Sequence, residues 1–260
     1  MPELPEVEAY RRLAEAALGR PIVEVDAPDA WFLKGGVDAK ALRAALLGHP
    51  FTAARRIGKL LLLDISGGGV LGLHFGMTGR LVLDGRPGVD RLLYSSQRDA
   101  SAWNRLTLRF ADGGELRVRD PRRLGAVYLD PDESRLGPDV LELTPSRLRH
   151  VLAASTTPLK ARLLDQARLA GVGNLLADEA LWRAGLDPRR PAGSLTPAEL
   201  RRLHRHLRGT VEDLIDRGGS HTGDLVPARS PGGACPRDGA PLSRSRVGGR
   251  TTWWCPVHQR

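Results

Sequence analysis

Lysine is nearly missing from this sequence: of 39 Lys and Arg residues only Lys34, Lys40, Lys59 and Lys160 are lysines. Cysteine is scarcer, and aromatic residues make up 5%. The two cysteines, Cys235 and Cys255, exclude a disulfide-stapled framework. Both fall in the last 26 residues, where a metal is a better explanation than a disulfide. No apolar run approaches the roughly 20 residues that span a bilayer, so no membrane partner is expected. The start is acidic and lacks a charged-then-apolar signal pattern, which predicts a cytoplasmic protein. No internal repeat is visible.

Arginine is what the chain has in excess. Its formal net charge is +9 and its pI about 10.4. That balance suits a polyanionic partner. Arg forks onto phosphate oxygens and base edges better than Lys does, although a biased genome yields the same skew. With 260 residues, 41% of them hydrophobic, the chain can build one large domain or two ordinary ones.

Apolar positions Val7, Tyr10, Leu13, Ala14, Ala17 and Leu18 repeat at helical spacing and predict a helix over 3–18, ended by Gly19-Arg20-Pro21. From 21 to about 130 short β-prone runs such as KLLLLDIS, GRLVLD and RLTLRFA alternate with turn clusters, the texture of a sandwich or barrel. In GRLVLD the alternation sends Leu81 and Leu83 to one face and Arg80 and Val82 to the other. A Pro-, Gly- and acid-bearing stretch follows, and then helical patterns. The last of these opens with Thr196, Pro197 and Glu199, the elements of a capping box. The expected fold is α+β: an N-terminal helix plus β-sandwich domain over 1–130, a linker at 131–148, a helix-two-turn-helix domain at 149–228 and a zinc-finger-like β-hairpin at 229–260.

Four constellations could carry chemistry. MPELPEVE places Pro2, Glu3 and Glu6 at the start. Helix grammar alone accounts for them, since Pro and acids suit a first turn; the other reading makes the terminus a reagent. CPRD at 235–238 and CPVH at 255–258 are two knuckles, with sixteen residues between Asp238 and Cys255. They offer Cys235, Asp238, Cys255 and His258 to a zinc ion in the manner of a zinc ribbon, against the alternative of a metal-free hairpin packed on Trp253 or Trp254. Arg250 falls on the presumed hairpin turn, within reach of a groove or backbone. In AGVGNLLADEALW, Gly171–Asn174 opens a helix, and N–H groups there bind anions with the Asn174 amide beside them; the plainer reading is an αα-corner. HFGMTGRL and DPRRLGAV carry His74, Met77, Arg122, Arg123 and Leu124. Met and Leu are routine core residues, but exposed on loops of a basic protein they are the kind that wedge between bases.

Taken together and in order, PELPEVE, IGKLLLL, HFGMTG, DPRRLG, LLDQ with AGVGNLLADEALW, and GGRTTWWCPVHQ resemble the bacterial formamidopyrimidine-DNA glycosylase/endonuclease VIII family along nearly the whole chain. The resemblance implies a bifunctional DNA glycosylase/AP lyase of base excision repair, working as a monomer on double-stranded DNA that holds a damaged base or abasic site. It implies that Met1 is removed and the Pro2 amine becomes the nucleophile. Glu3 then handles protons, Glu6 orients the site, and β,δ-elimination cuts the strand. It matches Lys59, His74, Asn174 and Arg250 to phosphate contacts and Met77, Arg122 and Leu124 to the void left by the flipped nucleotide, and it implies one structural zinc.

Three departures stand out. Leu124 occupies a position the family fills with Phe. Asp238 and His258 stand where four cysteines are usual. GGSHTGDLVPARSPGGAC runs almost directly to Cys235, where members that excise 8-oxoguanine carry a longer segment closing on the flipped base. Formamidopyrimidines, oxidised pyrimidines and abasic sites are therefore comparable substrate candidates with little 8-oxoguanine activity. A lesion-binding protein without turnover is the alternative of another class.

Overall fold

The computed structural model describes every residue except Met1, Tyr94, Gln97 and Asp99, so the expected removal of Met1 concerns a residue outside that set. The chain divides into two compact units, one of Pro2 and Glu6–Glu133, the other of Glu3–Pro5 and Ser134–Arg260. Among the described residues no helix is long and apolar enough to cross a membrane.

Helix α1 (Leu4–Ala14) has Pro5 and Glu6 in its first turn and Arg11 and Arg12 in its last, each suited to its end of the helix dipole. It stops short of the expected Leu18. Glu15–Ala17 tighten into a 3-10 turn and Leu18 is extended, because the chain must leave the helix ahead of Pro21. Val7, Tyr10 and Ala14 bury one face of α1 in the core of the first unit.

Among the described residues that core lies within nine antiparallel strands: β1 (Ile22–Asp26), β2 (Phe51–Ile57), β3 (Leu60–Ile65), β4 (Val70–His74), β5 (Arg80–Leu83), β6 (Arg86–Pro87), β7 (Asn104–Phe110), β8 (Glu115–Arg119) and β9 (Ala126–Leu129). They form two sheets, of order β1-β7-β8-β5-β6 and β2-β3-β4-β9. The register layers the inner faces. Leu81, Val118 and Leu106 align across one sheet, as do Leu83, Leu116 and Leu108. Leu61 pairs Leu73 and Leu63 pairs Leu71 in the other. All ten belong to one hydrophobic cluster, as a sandwich requires.

Two features go beyond the sequence reading. The faces of β5 alternate as expected, with Leu81 and Leu83 in the sandwich core, but Arg80 and Val82 on the other face are as buried as their neighbours. The chain after β6 covers that face, burying Val89 and Leu92, and Arg80 donates to the Val89 carbonyl at 3.3 Å. A helix also lies between β1 and β2 that the sequence reading did not anticipate. This is α2 (Ala39–Leu46), capped by Asp38, whose carboxylate accepts the Ala41 N–H at 2.7 Å.

The second unit contains α3 (Pro145–Leu152), α4 (Leu159–Leu164), α5 (Asn174–Ala184), α6 (Pro197–Asp216) and a hairpin of β10 (Ser243–Val247) and β11 (Arg250–Trp254). Thr144 caps α3, so the last residues of the stretch expected to be linker are already helical. The capping box of α6 forms as its residues predict, and Leu200, Leu203, Leu207, Val211 and Leu214 bury one face. α5 is buried almost all round and is the centre of the unit.

α4 is shorter than the helical pattern of its sequence. Asp165 takes the Ala167 N–H into a side-chain turn that competes with helix. The Gln166 amide then donates to the Leu164 and Val172 carbonyls and accepts the Gly171 N–H, bracing the loop that leads to α5.

Inside this unit sits a buried charge node. Lys160 and Asp178 form an ion pair at 2.7 Å with both side chains fully buried. Arg229 meets the same carboxylate at 2.7 Å, and Lys160 also donates to Thr252 Oγ1 at 2.8 Å. Burial lowers the pKa of Lys160, and the Asp178 carboxylate opposes that shift. Removing the carboxylate strands two buried cations. Asp178→Ala is therefore expected to cost about 3–5 kcal/mol, read from urea unfolding followed by the helical signal; a loss below about 1 kcal/mol would mean the node is not held by charge pairing.

Candidate functional site

Glu3 is fully buried. Its Oε1 accepts the Leu175 N–H at 2.9 Å and its Oε2 the Leu176 N–H at 3.0 Å. Two of the unpaired donors at the start of α5 are thereby satisfied by a carboxylate, which also suits the positive end of the helix dipole. Gly173 makes this possible: a Cβ there would sit inside van der Waals contact of the carboxylate. Asn174, the first residue of α5, is half-buried, and its Oδ1 has no hydrogen-bond partner among the described residues. Pro2, one peptide bond before Glu3, is buried, as is Glu6 one turn further on.

In the first unit, two loops are drawn together by one buried carboxylate. Asp120 accepts the Thr78 hydroxyl and the N–H groups of Arg122 at 3.1 Å, Leu124 at 2.8 Å and Gly125 at 2.8 Å. Thr78 follows Met77, so Met77, Arg122 and Leu124 sit on loops joined at Asp120. Gly76 permits the approach, since a Cβ there would collide with the Leu124 backbone. Met77 belongs to neither core and is half-buried, Arg122 is exposed, and Leu124 is 45% exposed. Arg123 turns away: it forks onto Asp29 at 2.6 and 2.7 Å.

Lys59 occupies the two-residue turn between β2 and β3, and His74 ends β4 opposite Leu60. The His74 Nδ1 accepts the Gly76 N–H at 3.3 Å, which leaves the ring proton on Nε2. Burial, then the Lys59 charge, lower the His74 pKa, with Asp120 opposing. At neutral pH this places a neutral N–H donor close to an ammonium group, a pairing suited to an anion.

The β10–β11 hairpin turns at Gly248-Gly249, both at positive φ, the conformation of a type I′ turn. Arg250 leaves that turn exposed. The turn rests on Ala161 of α4, and Lys160 donates to the Thr251 carbonyl.

At the other end of the hairpin the donor atoms of Cys235, Asp238, Cys255 and His258 all lie within 4.8 Å of one another. The His258 Nδ1 is 2.8 Å from Asp238 Oδ2 and 3.7 Å from Cys235 Sγ. Its Nε2 reaches the Trp182 carbonyl at 3.2 Å. With Nε2 donating there, the imidazole would turn its Nδ1 lone pair toward the cluster when a metal is bound, the outer support a metal-binding imidazole needs. The Trp182 indole N–H donates to Cys235 Sγ at 3.2 Å. The Ala240 N–H, followed by His258, holds the Asp238 carboxyl far below the usual carboxylate range. These four residues could hold a metal ion.

Four residues that organise these sites escaped the sequence reading: Asp120, Gln166, Asp178 and Trp182. All four stood inside the segments DPRRLG, LLDQ and AGVGNLLADEALW, but nothing in their spacing marked them as hubs.

Residues 1–127 match the model of the formamidopyrimidine-DNA glycosylase N-terminal domain, and 136–225 that of the formamidopyrimidine-DNA glycosylase H2TH domain. The formamidopyrimidine-DNA glycosylase of Thermus thermophilus is 37% identical, the alignment covering 100% of this chain and 98% of that protein. That of Halalkalibacterium halodurans is 30% identical over 100% of both. The Lactococcus lactis Fpg bound to a DNA containing Fapy-dG superposes with a TM-score of 0.84 at 28% identity, covering 99% of this chain and 100% of that one. Its complex with an abasic site containing DNA gives 0.84 and 28% over 100% of both chains.

Gly173→Ala is expected to expel the Glu3 carboxylate from α5 while the rest of the helix persists. Loss of such a cap costs about 1 kcal/mol, so the Leu175 and Leu176 amides should exchange with solvent about fivefold faster; unchanged exchange would mean the carboxylate does not hold that helix end.

Proposed function

The chain belongs to the formamidopyrimidine-DNA glycosylase family, and on that footing we propose how its residues carry out the DNA glycosylase/AP lyase reaction of base excision repair. The secondary amine of Pro2, released when Met1 is removed, attacks C1′ of the damaged nucleotide. The base departs and an imine forms between Pro2 and the sugar. An α-amine with a pKa of about 7.7–8.0 is partly neutral at cellular pH, which a lysine would reach only through a large shift. Glu3 moves protons during ring opening, using lone pairs left over from its two bonds to α5, and Glu6 orients the site. β,δ-Elimination then breaks the strand on both sides of the sugar.

The damaged nucleotide must first leave the stack, at a cost of about a few kcal/mol. Met77, Arg122 and Leu124 fill the void. Leu124 stacks less well on the orphaned base than an aromatic ring would, which loosens or alters the choice of opposite base. Lys59, His74, Asn174 and Arg250 hold phosphates. Residues 1–130 form the catalytic domain, 131–148 the linker, 149–228 the helix-two-turn-helix domain and 229–260 the metal-binding hairpin.

The observation that carries this reading is the buried Glu3 carboxylate bound to the start of α5, because it fixes the backbone one bond from Pro2. Helix grammar requires no such long-range anchor. Borohydride trapping on a duplex with one abasic site is expected to link the sugar to Pro2 covalently, and Pro2→Gly to lose at least about 100-fold of the trapping rate, the low end of what a positioned reacting group supplies. Binding of the duplex without any trapped adduct would move the protein to the class of non-catalytic lesion binders.

One observation favours a narrow substrate range. The short segment after α6 is tied down: Glu179 accepts the Asp224 and Leu225 N–H groups at 3.1 and 2.9 Å, and Leu225 is fully buried. Formamidopyrimidines, oxidised pyrimidines and abasic sites are then preferred over 8-oxoguanine. An 8-oxoguanine duplex cleaved as fast as these would overturn that preference.

Zinc is the metal that best suits two thiolates, an imidazole and a carboxylate. Cys235, Asp238, Cys255 and His258 would hold it, and its contribution is to the stability of the hairpin that carries Arg250. Metal analysis is expected to give about one zinc per chain, lost in Cys255→Ala; stoichiometric zinc in that variant would place the ion elsewhere.

A further inference from the structure

Of three arginine-bearing surface concavities among the described residues, two have their arginines already neutralised. Arg20 meets Asp84 and Asp112, each at 2.8 Å, in the first. Arg123 meets Asp29 at 2.6 Å in the second. The third, of about 620 Å³ and within the second unit, is lined by Arg147, His150, Arg162 and Arg168 and by no carboxylate. Arg147 and His150 lie three residues apart on α3 and so share a face. Arg162 spends its Nε on the Val151 carbonyl at 2.7 Å, which anchors the side chain between α3 and α4. The side chains of Arg147, His150 and Arg168 have neither an ion pair nor a hydrogen bond among the described residues.

Basic groups gathered in a concavity without counter-charge make a field that favours an anion. Guanidinium forks match phosphate oxygens in geometry. The volume lies in the range of small-ligand sites, and Leu136 and Val151 supply an apolar wall against which a sugar or base can lie. We propose that this pocket binds the phosphoryl group of a nucleotide, held by Arg147, His150, Arg162 and Arg168. Its source is either a free nucleoside phosphate or the 5′-phosphorylated end of a strand. None of these residues has a part in the catalytic or DNA-contact roles above, so the site stands apart from that reading.

The test is isothermal titration of the full-length protein with ADP and with a 5′-phosphorylated trinucleotide, compared between wild type and Arg147→Ala/Arg168→Ala. At least one probe should bind the wild type and bind the double variant at least tenfold more weakly, with melting temperature and abasic-site cleavage unchanged. ADP binding alone assigns a free nucleotide; trinucleotide binding, with or without ADP, assigns a strand end. Equal affinities in wild type and variant, or no binding of either probe, would overturn the site. So would a hexaglutamate peptide that binds the wild type more tightly than both, since the pocket would then be one for acidic protein segments.

Discussion

A carboxylate from the third residue of the chain holds the start of a helix more than 170 positions away. Much of the candidate chemistry depends on that contact. The N–H groups at the start of a helix must be paired, and burial removes water as the partner. Glu3 supplies two acceptor oxygens, and Gly173 supplies the space for them. The carboxylate belongs to the residue that follows Pro2 in the chain. A flexible terminus is a poor reagent; in the proposed reaction, a terminus anchored close to its amine would lose less entropy on reaching a bound sugar.

The same device recurs. Asp120 joins two loops by accepting a hydroxyl and three N–H groups, and Asp178 joins α4, α5 and the hairpin through Lys160, Arg229 and the Trp253 N–H. A buried carboxylate is costly unless every lone pair finds a donor. Where it does, the geometry becomes rigid, since no member can move without leaving charge exposed to apolar surroundings. In a chain so rich in arginine, buried acids are scarce enough to act as fixed points. Many of the cations pair with them or with surface acids. The residues that do not, such as Arg122, Arg147 and Arg168, are those with charge to offer a ligand.

The hairpin combines these effects. Its glycine turn sets the direction of Arg250, its flank is held by Lys160, and its far end closes around two knuckles backed by Trp182. An imidazole whose outer nitrogen is spent on a carbonyl presents its inner lone pair in a fixed direction. The Asp and His in the knuckles depart from an all-cysteine set but keep the spacing, and spacing decides whether four donors can converge.

Local patterning was legible in the chain itself. Periodicity marked α1, α5 and α6, turn clusters marked the strands, Thr196 and Glu199 marked a capping box, and the pairs at 235–238 and 255–258 marked the donor cluster. These signals depend on neighbours within a few residues, where the chain's own geometry dictates what faces what. The arrangement of sheets, the burial of both faces of β5, the early end of α4 and the hidden α2 were decided by contacts between distant segments. So were the roles of Asp120, Gln166, Asp178 and Trp182, whose single letters carry no mark of what they will touch. The sequence determined which residues could act; tertiary structure decided which of them are held rigid, because rigidity comes from satisfying buried polar groups across long separations, and that depends on what the fold brings near.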